Sequence, residues 1–186
     1  MPGRSPKPLL MLAFLTATAC SIHIFESLIM RLLPLPFIRL GLSNIVMMYL
    51  IFEKKPLQAI VVNITKSIVG GAVTFTLLSP ATLLSLCGGL AAILAMWVAH
   101  GSNLGLSEYG VSISGAVVHN LVQLVLVQTV VLPGTRVFVL TPLLLFLGLF
   151  SGMLTAWILL LIKARFIQHK IGKHEESEAS ELGKSP

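Results

Sequence analysis

Six long apolar runs, separated by proline, glycine or charge, organise this chain: residues 9–30, 38–52, 57–75, 80–99, 109–132 and 138–164. A membrane-barrel strand needs only about ten residues with strict alternation, and these runs are longer and continuous. They therefore predict helices, which satisfy every backbone group internally, as lipid demands. A bilayer core about 30 Å thick takes roughly 20 residues of helix. The expected fold is all-α and integral to the membrane, with six transmembrane helices. Residues 1–8 form a cytoplasmic N-terminal segment, 9–164 the transmembrane domain, and 165–186 a basic, then acidic, cytoplasmic tail. That tail mixes Lys, Glu, Ser and Gly without apolar periodicity and is expected to be disordered.

Composition agrees with the pattern. Of 186 residues, 55% are hydrophobic and 11% charged, with a mean hydropathy of +0.93; an ordinary soluble domain carries about a quarter charged residues. The net charge of +6 is then a matter of topology rather than of nucleic acid. Arg4, Lys7, Lys54, Lys55, Lys163, Arg165, Lys170 and Lys173 fall on one side of the predicted spans, and Arg31, Arg39 and Arg136 on the other. Basic residues favour the cytoplasmic side, so both termini are expected in the cytoplasm and the chain in the cytoplasmic membrane. The basic start of the tail would hold the last helix at the anionic leaflet.

Two features at the ends are decoys. Ala17-Thr18-Ala19-Cys20 faintly resembles a lipoprotein cleavage site, but the apolar run continues past the cysteine, as a retained span does. Gly183-Lys184-Ser185 lacks the earlier glycine of a phosphate-binding loop, Glu178 standing in its place. Cys20 and Cys87 both lie in apolar stretches and read as buried thiols.

Polar groups inside the predicted spans carry the candidate chemistry, because an ionisable side chain there costs several kcal/mol and usually faces the protein interior. Lys66 falls roughly 14 Å into the third span at about 1.5 Å per residue. Asn63, Lys66, Ser67 and Gly70 follow i, i+3, i+4, i+7 spacing and share one face. Lys66 contacts a substrate, pairs with Glu26 to hold the bundle, or snorkels towards the interface. His119, Asn120 and Gln123 form a second polar group in the fifth span, supplying neutral donors and acceptors for a pocket or for interhelical hydrogen bonds. A metal site would need His119, His23 and Glu26 to converge from different helices, since no helical pair of His or Cys ligands exists; no metal or cofactor is expected.

On the first span, Ala13 and Ala17 form a small-residue face, and Glu26 points roughly 200° away at about 100° per residue. Small residues four apart allow close approach of another helix, so one face suits a partner and the other the interior. Gly88 with Ala92, and Gly148 with Gly152, read as contacts within the bundle. Between the first two spans, Pro34 and Pro36 interrupt an apolar segment. Prolines remove backbone donors, so this segment is expected outside the helices, as a lid or a stiff connector. No aspartate occurs in the chain, all seven acids being Glu, so the clustered aspartates of magnesium–diphosphate chemistry are missing. No nucleophile triad or zinc motif is legible. Binding is favoured over catalysis.

Three ordered stretches carry a resemblance: Glu26-Ser27-Leu28 followed by Pro34-Leu35-Pro36 and Arg39-Leu-Gly-Leu-Ser-Asn-Ile45; Leu78-Ser-Pro-Ala-Thr-Leu-Leu-Ser-Leu-Cys-Gly-Gly89; and Val111-Ser-Ile-Ser-Gly-Ala-Val-Val-His-Asn-Leu-Val-Gln-Leu124. From about residue 9 to 164 the chain resembles the Gx transporter family, labelled heptaprenyl diphosphate synthase component I. Members of that family look like the six-helix substrate-binding (S) components of energy-coupling factor transporters. The resemblance implies an S-component-like bundle with a small-molecule pocket capped by the proline loop, and docking through Ala13 and Ala17 on a membrane scaffold served by cytoplasmic ATPase subunits on other chains. Asn44, Lys66, His119, Asn120, Gln123, Arg39 and Glu26 are then the expected substrate contacts, with Lys66 and Arg39 favouring an anionic group. Phe37, Arg39 and Val122 depart from the family's usual Gly, Lys and Gly, so substrate identity does not carry over. The alternative implied by the family label is a non-catalytic membrane accessory of polyprenyl diphosphate synthesis.

Overall fold

The computed structural model describes residues 8–30, 41–102, 105–131, 133 and 137–182, and among these there are helices and turns but no strand. In chain order they are α1 (Pro8–Met30), α2 (Asn44–Phe52), α3 (Pro56–Val73), α4 (Pro80–Gly101), α5 (Glu108–Leu126) and α6 (Thr141–Leu182). A π-helical turn, Val127–Val131, prolongs α5, and a 3-10 turn, Val137–Leu140, leads into α6. Leu9–Ile29, Pro56–Val73, Pro80–Gly101, Glu108–Val131 and Phe138–Arg165 are each long and apolar enough to cross a bilayer. The chain is thus an all-helical, multi-pass membrane protein.

The second helix departs from the sequence expectation. The apolar run suggested a span over residues 38–52, but Gly41 takes a left-handed φ of +69°, the next two residues turn, and the helix starts only at Asn44. At nine residues it is roughly 14 Å long, too short to span alone, so five of the described helices reach spanning length rather than six. Its partner contacts explain how so apolar a helix stays short. It packs against α1, α3, α4 and α6 and buries Ile45, Val46, Met47, Met48, Leu50 and Ile51, so protein rather than lipid covers it. Around this central rod, α1 packs on α3, α3 on α4, α4 on α5 and α5 on α6.

Local chemistry sets the other boundaries. Pro56 and Pro80 stand in the first turns of α3 and α4, where the missing N–H is no loss. Ser107 caps α5 by accepting the Gly110 amide at 3.3 Å, with Glu108 in the first turn, where a negative charge suits the helix dipole. Between α2 and α3, Lys54 adopts φ 57°, and the amides of Glu53, Lys54 and Lys55 close on the carbonyls of Tyr49, Ile51 and Leu50. At the last helix the expected boundary moves as well. The apolar run ends near residue 164, yet α6 continues to Leu182, through the segment expected to be disordered. Its Lys, Glu and Ala are strong helix formers, which an apolar pattern does not register.

Small residues let the helices approach. A Cβ at Gly152 would lie 2.7 Å from Ile113 Cα, and one at Gly148 would lie 3.4 Å from Val117 Cα, so α6 rests on the backbone of α5. These two glycines are internal contacts, as their spacing suggested. At the end of the bundle where α2 finishes, four helices meet through side chains. The Lys163 ammonium bonds Glu108 at 3.1 Å and sits 4.5 Å from the centre of the Phe52 ring, which packs edge-on against His100 at 4.6 Å.

Candidate functional site

At the opposite end of α2, polar side chains from five helices surround a small cavity. His23 and Glu26 come from α1, Asn44 from α2 with Gly41 and Ser43 just before it, Lys66 from α3, Ser85 from α4 and His119 from α5. It measures about 10 Å³, room for roughly one water molecule. Lys66 lies about 10 Å from the end of α3 and Ser85 about 8 Å from the start of α4, at roughly 1.5 Å per residue, so the cavity lies within the span of the bundle.

Lys66 is the largest of the fully buried side chains, 2% exposed. Its ammonium donates to Ser43 Oγ at 2.8 Å and to Asn44 Oδ1 at 3.4 Å. Both acceptors are neutral and both sit where the chain turns into α2. The Glu26 carboxylate accepts the Gly41 amide from the same turn. Lys66 and Glu26 thus both engage the turn that leads into α2, and the burial of Lys66 in lipid-spanning structure is offset by these bonds.

The other polar groups divide into cavity walls and interhelical ties. Ser67 and Ser85 share a hydrogen bond of 3.3 Å between α3 and α4. Asn63 donates to the Leu86 carbonyl at 3.1 Å, pressed against Gly89, where a Cβ would lie 1.9 Å from Asn63 Oδ1. Gln123 meets His119 Nε2 at 2.9 Å. With the amide nitrogen as donor, the imidazole accepts at Nε2 and is neutral, with its proton on Nδ1. Gly88 makes room for this pair, a Cβ there lying 3.0 Å from the His119 ring. Asn63 Oδ1 and Gln123 Oε1 are buried with no hydrogen-bond partner among the described residues. Such orphaned acceptors cost about 1–3 kcal/mol each.

Of the residues expected to contact substrate, Glu26, Asn44, Lys66 and His119 line the cavity. Gln123 stands behind His119. Asn120 is turned elsewhere: its amide donates to the Leu144 carbonyl of α6 at 2.9 Å, which makes it a tie between α5 and α6. Asn120→Leu is expected to cost about 0.6 kcal/mol, the usual value of one interhelical bond in a membrane bundle, and to leave ligand retention unchanged; thermal melting beside a ligand assay checks both. Arg39 and the proline segment lie outside the described residues. Sequence spacing does not mark His23, Ser43 or Ser85 as contacts. His23 carried the one available signal, lying three residues before Glu26 on the same helix face. His23, Glu26 and His119 reach the same cavity, yet among the described residues no three such groups are disposed to hold a metal ion.

On the outer side of α1, Ala13 and Ala17 are exposed, with Phe14 at 70% exposure between them. The helix therefore has the two faces that its spacing suggested, one turned to the cavity and one turned outward.

Residues 15–162 match the family described as heptaprenyl diphosphate synthase component I. No curated protein and no solved structure matches the chain.

Proposed function

The chain belongs to the heptaprenyl diphosphate synthase component I family, and from that premise we propose that it is the substrate-binding membrane subunit of an energy-coupling factor type importer. The observation that carries this reading is the small polar cavity around Lys66, to which five helices contribute. A buried ammonium bonded to two neutral oxygens can exchange them for those of an anion, and a charge-assisted bond is roughly twice as strong as a neutral one. The substrate is then a small anionic or amphipathic molecule. Arg39 belongs with it on charge alone.

The exposed face of α1 at Ala13 and Ala17 supports docking on a membrane scaffold, which cytoplasmic ATPase subunits on other chains would drive. The chain sits in the cytoplasmic membrane with both termini inside, the orientation that the distribution of its basic residues favours. Purification from native membranes in mild detergent should recover such an ATPase and scaffold, and lose them when Ala13 and Ala17 are both changed to leucine. Recovery of the chain without any ATPase, from wild type and variant alike, would refute the importer.

A second reading follows from the family's description. The chain would be an accessory to heptaprenyl diphosphate synthesis, holding a product for a catalytic partner, because it has no aspartate with which to bind magnesium itself. A synthase assay with and without the chain separates the two: a change in rate or chain length favours the accessory, and no change favours the carrier.

A further inference from the structure

Most walls of the Lys66 cavity are firmly held. α5 and α6 meet backbone to backbone at Gly152, α3 is tied to α4 by Asn63 and Ser67, and α2 is buried through most of its length. α1 is the exception. It packs on α2 and α3, and 17% of its spanning segment is covered by protein, against 33–50% for the other four. Segments with few buried contacts open at the lowest free energy. α1 supplies His23 and Glu26 to the cavity, while Phe14, Phe25 and Leu28 of the same helix face outward. Its seam with α3 is closed by the His23 ring, which lies on Gly70 so tightly that a Cβ there would come within 2.3 Å of it.

The cavity's size and lining narrow what can enter. At about 10 Å³ the cavity must widen to take any head group, and with no aliphatic or Phe, Tyr or Trp side chain among its lining residues it offers no wall to an apolar body. The lining is rich in donors: Lys66, Ser43, Ser85, Asn44 and the imidazoles. The one carboxylate, Glu26, is engaged by the Gly41 amide. If α1 is the wall that moves, the cavity opens towards the apolar surroundings of the bundle.

Resting on the reading of this cavity as a ligand site, we propose that the ligand is an oxyanion on an apolar chain, an alkyl phosphate or a fatty carboxylate, which enters sideways from the bilayer past α1. The head takes Lys66 and Ser43, and Lys66 gives up its bond to Asn44. The chain lies along the seam between α1 and α3 and continues into lipid.

The test uses the full chain in nanodiscs, with Cys20 and Cys87 changed to alanine and a reporter Ser85→Cys, labelled by N-ethylmaleimide and read by mass spectrometry. Dodecyl phosphate or laurate is expected to slow labelling about tenfold, as occupancy of roughly nine sites in ten would, and Lys66→Met to abolish that protection. Inorganic phosphate or acetate at the same concentration should give none. Equal protection by the short anions would overturn the apolar chain and the lateral route while leaving a binding subunit in place. Protection by no anion, in protein that still melts cooperatively, would overturn the anion site itself. Gly70→Ala, which displaces His23, should speed labelling, and so should His23→Ala if the first variant does not fold; an unchanged rate in the folded variant rules out α1 as the gate.

Discussion

Lys66→Met is expected to abolish ligand retention while leaving the fold at least as stable as wild type. Truncating one partner of a buried, charge-assisted contact costs about 2–5 kcal/mol in binding, a loss of roughly thirtyfold or more, and about three hundredfold at the centre of that range. Stability moves the other way. Lys66 is 2% exposed in a helix that spans the membrane, and removing a charge from such a place relieves its desolvation cost. Methionine keeps the length of the side chain while giving up the bonds to Ser43 and Asn44. Melting with and without ligand reads both effects. A purely structural Lys66, stapling α3 to the turn before α2, would give the reverse: lower melting temperature and untouched ligand retention.

The second large effect is expected at Gly152. An added methyl would come within 2.7 Å of Ile113 Cα and 3.1 Å of Ile113 N, and backbone atoms cannot swing aside as a side chain can. Gly152→Ala must push α6 off α5, at the cost of overpacking, about 1–3 kcal/mol. In a chain of this size that lowers the melting temperature by roughly 2–4 °C per kcal/mol. Gly101→Ala is the matched control, since a Cβ there meets nothing within 4 Å; it is expected to stay within about 0.5 kcal/mol of wild type. Equal melting of the two variants would show that the α5–α6 contact is looser than its geometry.

How much of this was legible in the sequence depends on what kind of signal each feature leaves. The Lys66 face was readable because helical periodicity is local: Asn63, Lys66, Ser67 and Gly70 are all buried together. So were the two faces of α1. His119, Asn120 and Gln123 are likewise all buried, but spacing names a face and not the neighbour across it, so the turn of Asn120 towards Leu144 was invisible. The short α2 was hidden for a related reason. Residues 38–52 average as apolar, and a break at Gly41 changes backbone conformation without changing hydropathy. In sequence His23 is legible only as a metal candidate, because its seat against Gly70 depends on how α1 meets α3. The helical end of α6 shows the converse failure, where helix propensity acts without an apolar stripe.

The most direct measurement is native mass spectrometry of the full chain released from its own membrane, with wild type and Lys66→Met examined side by side. A binding cavity at Lys66 predicts a discrete added mass on the wild-type protein that is missing from the variant. Identical spectra from the two proteins, with or without an added mass, would contradict it.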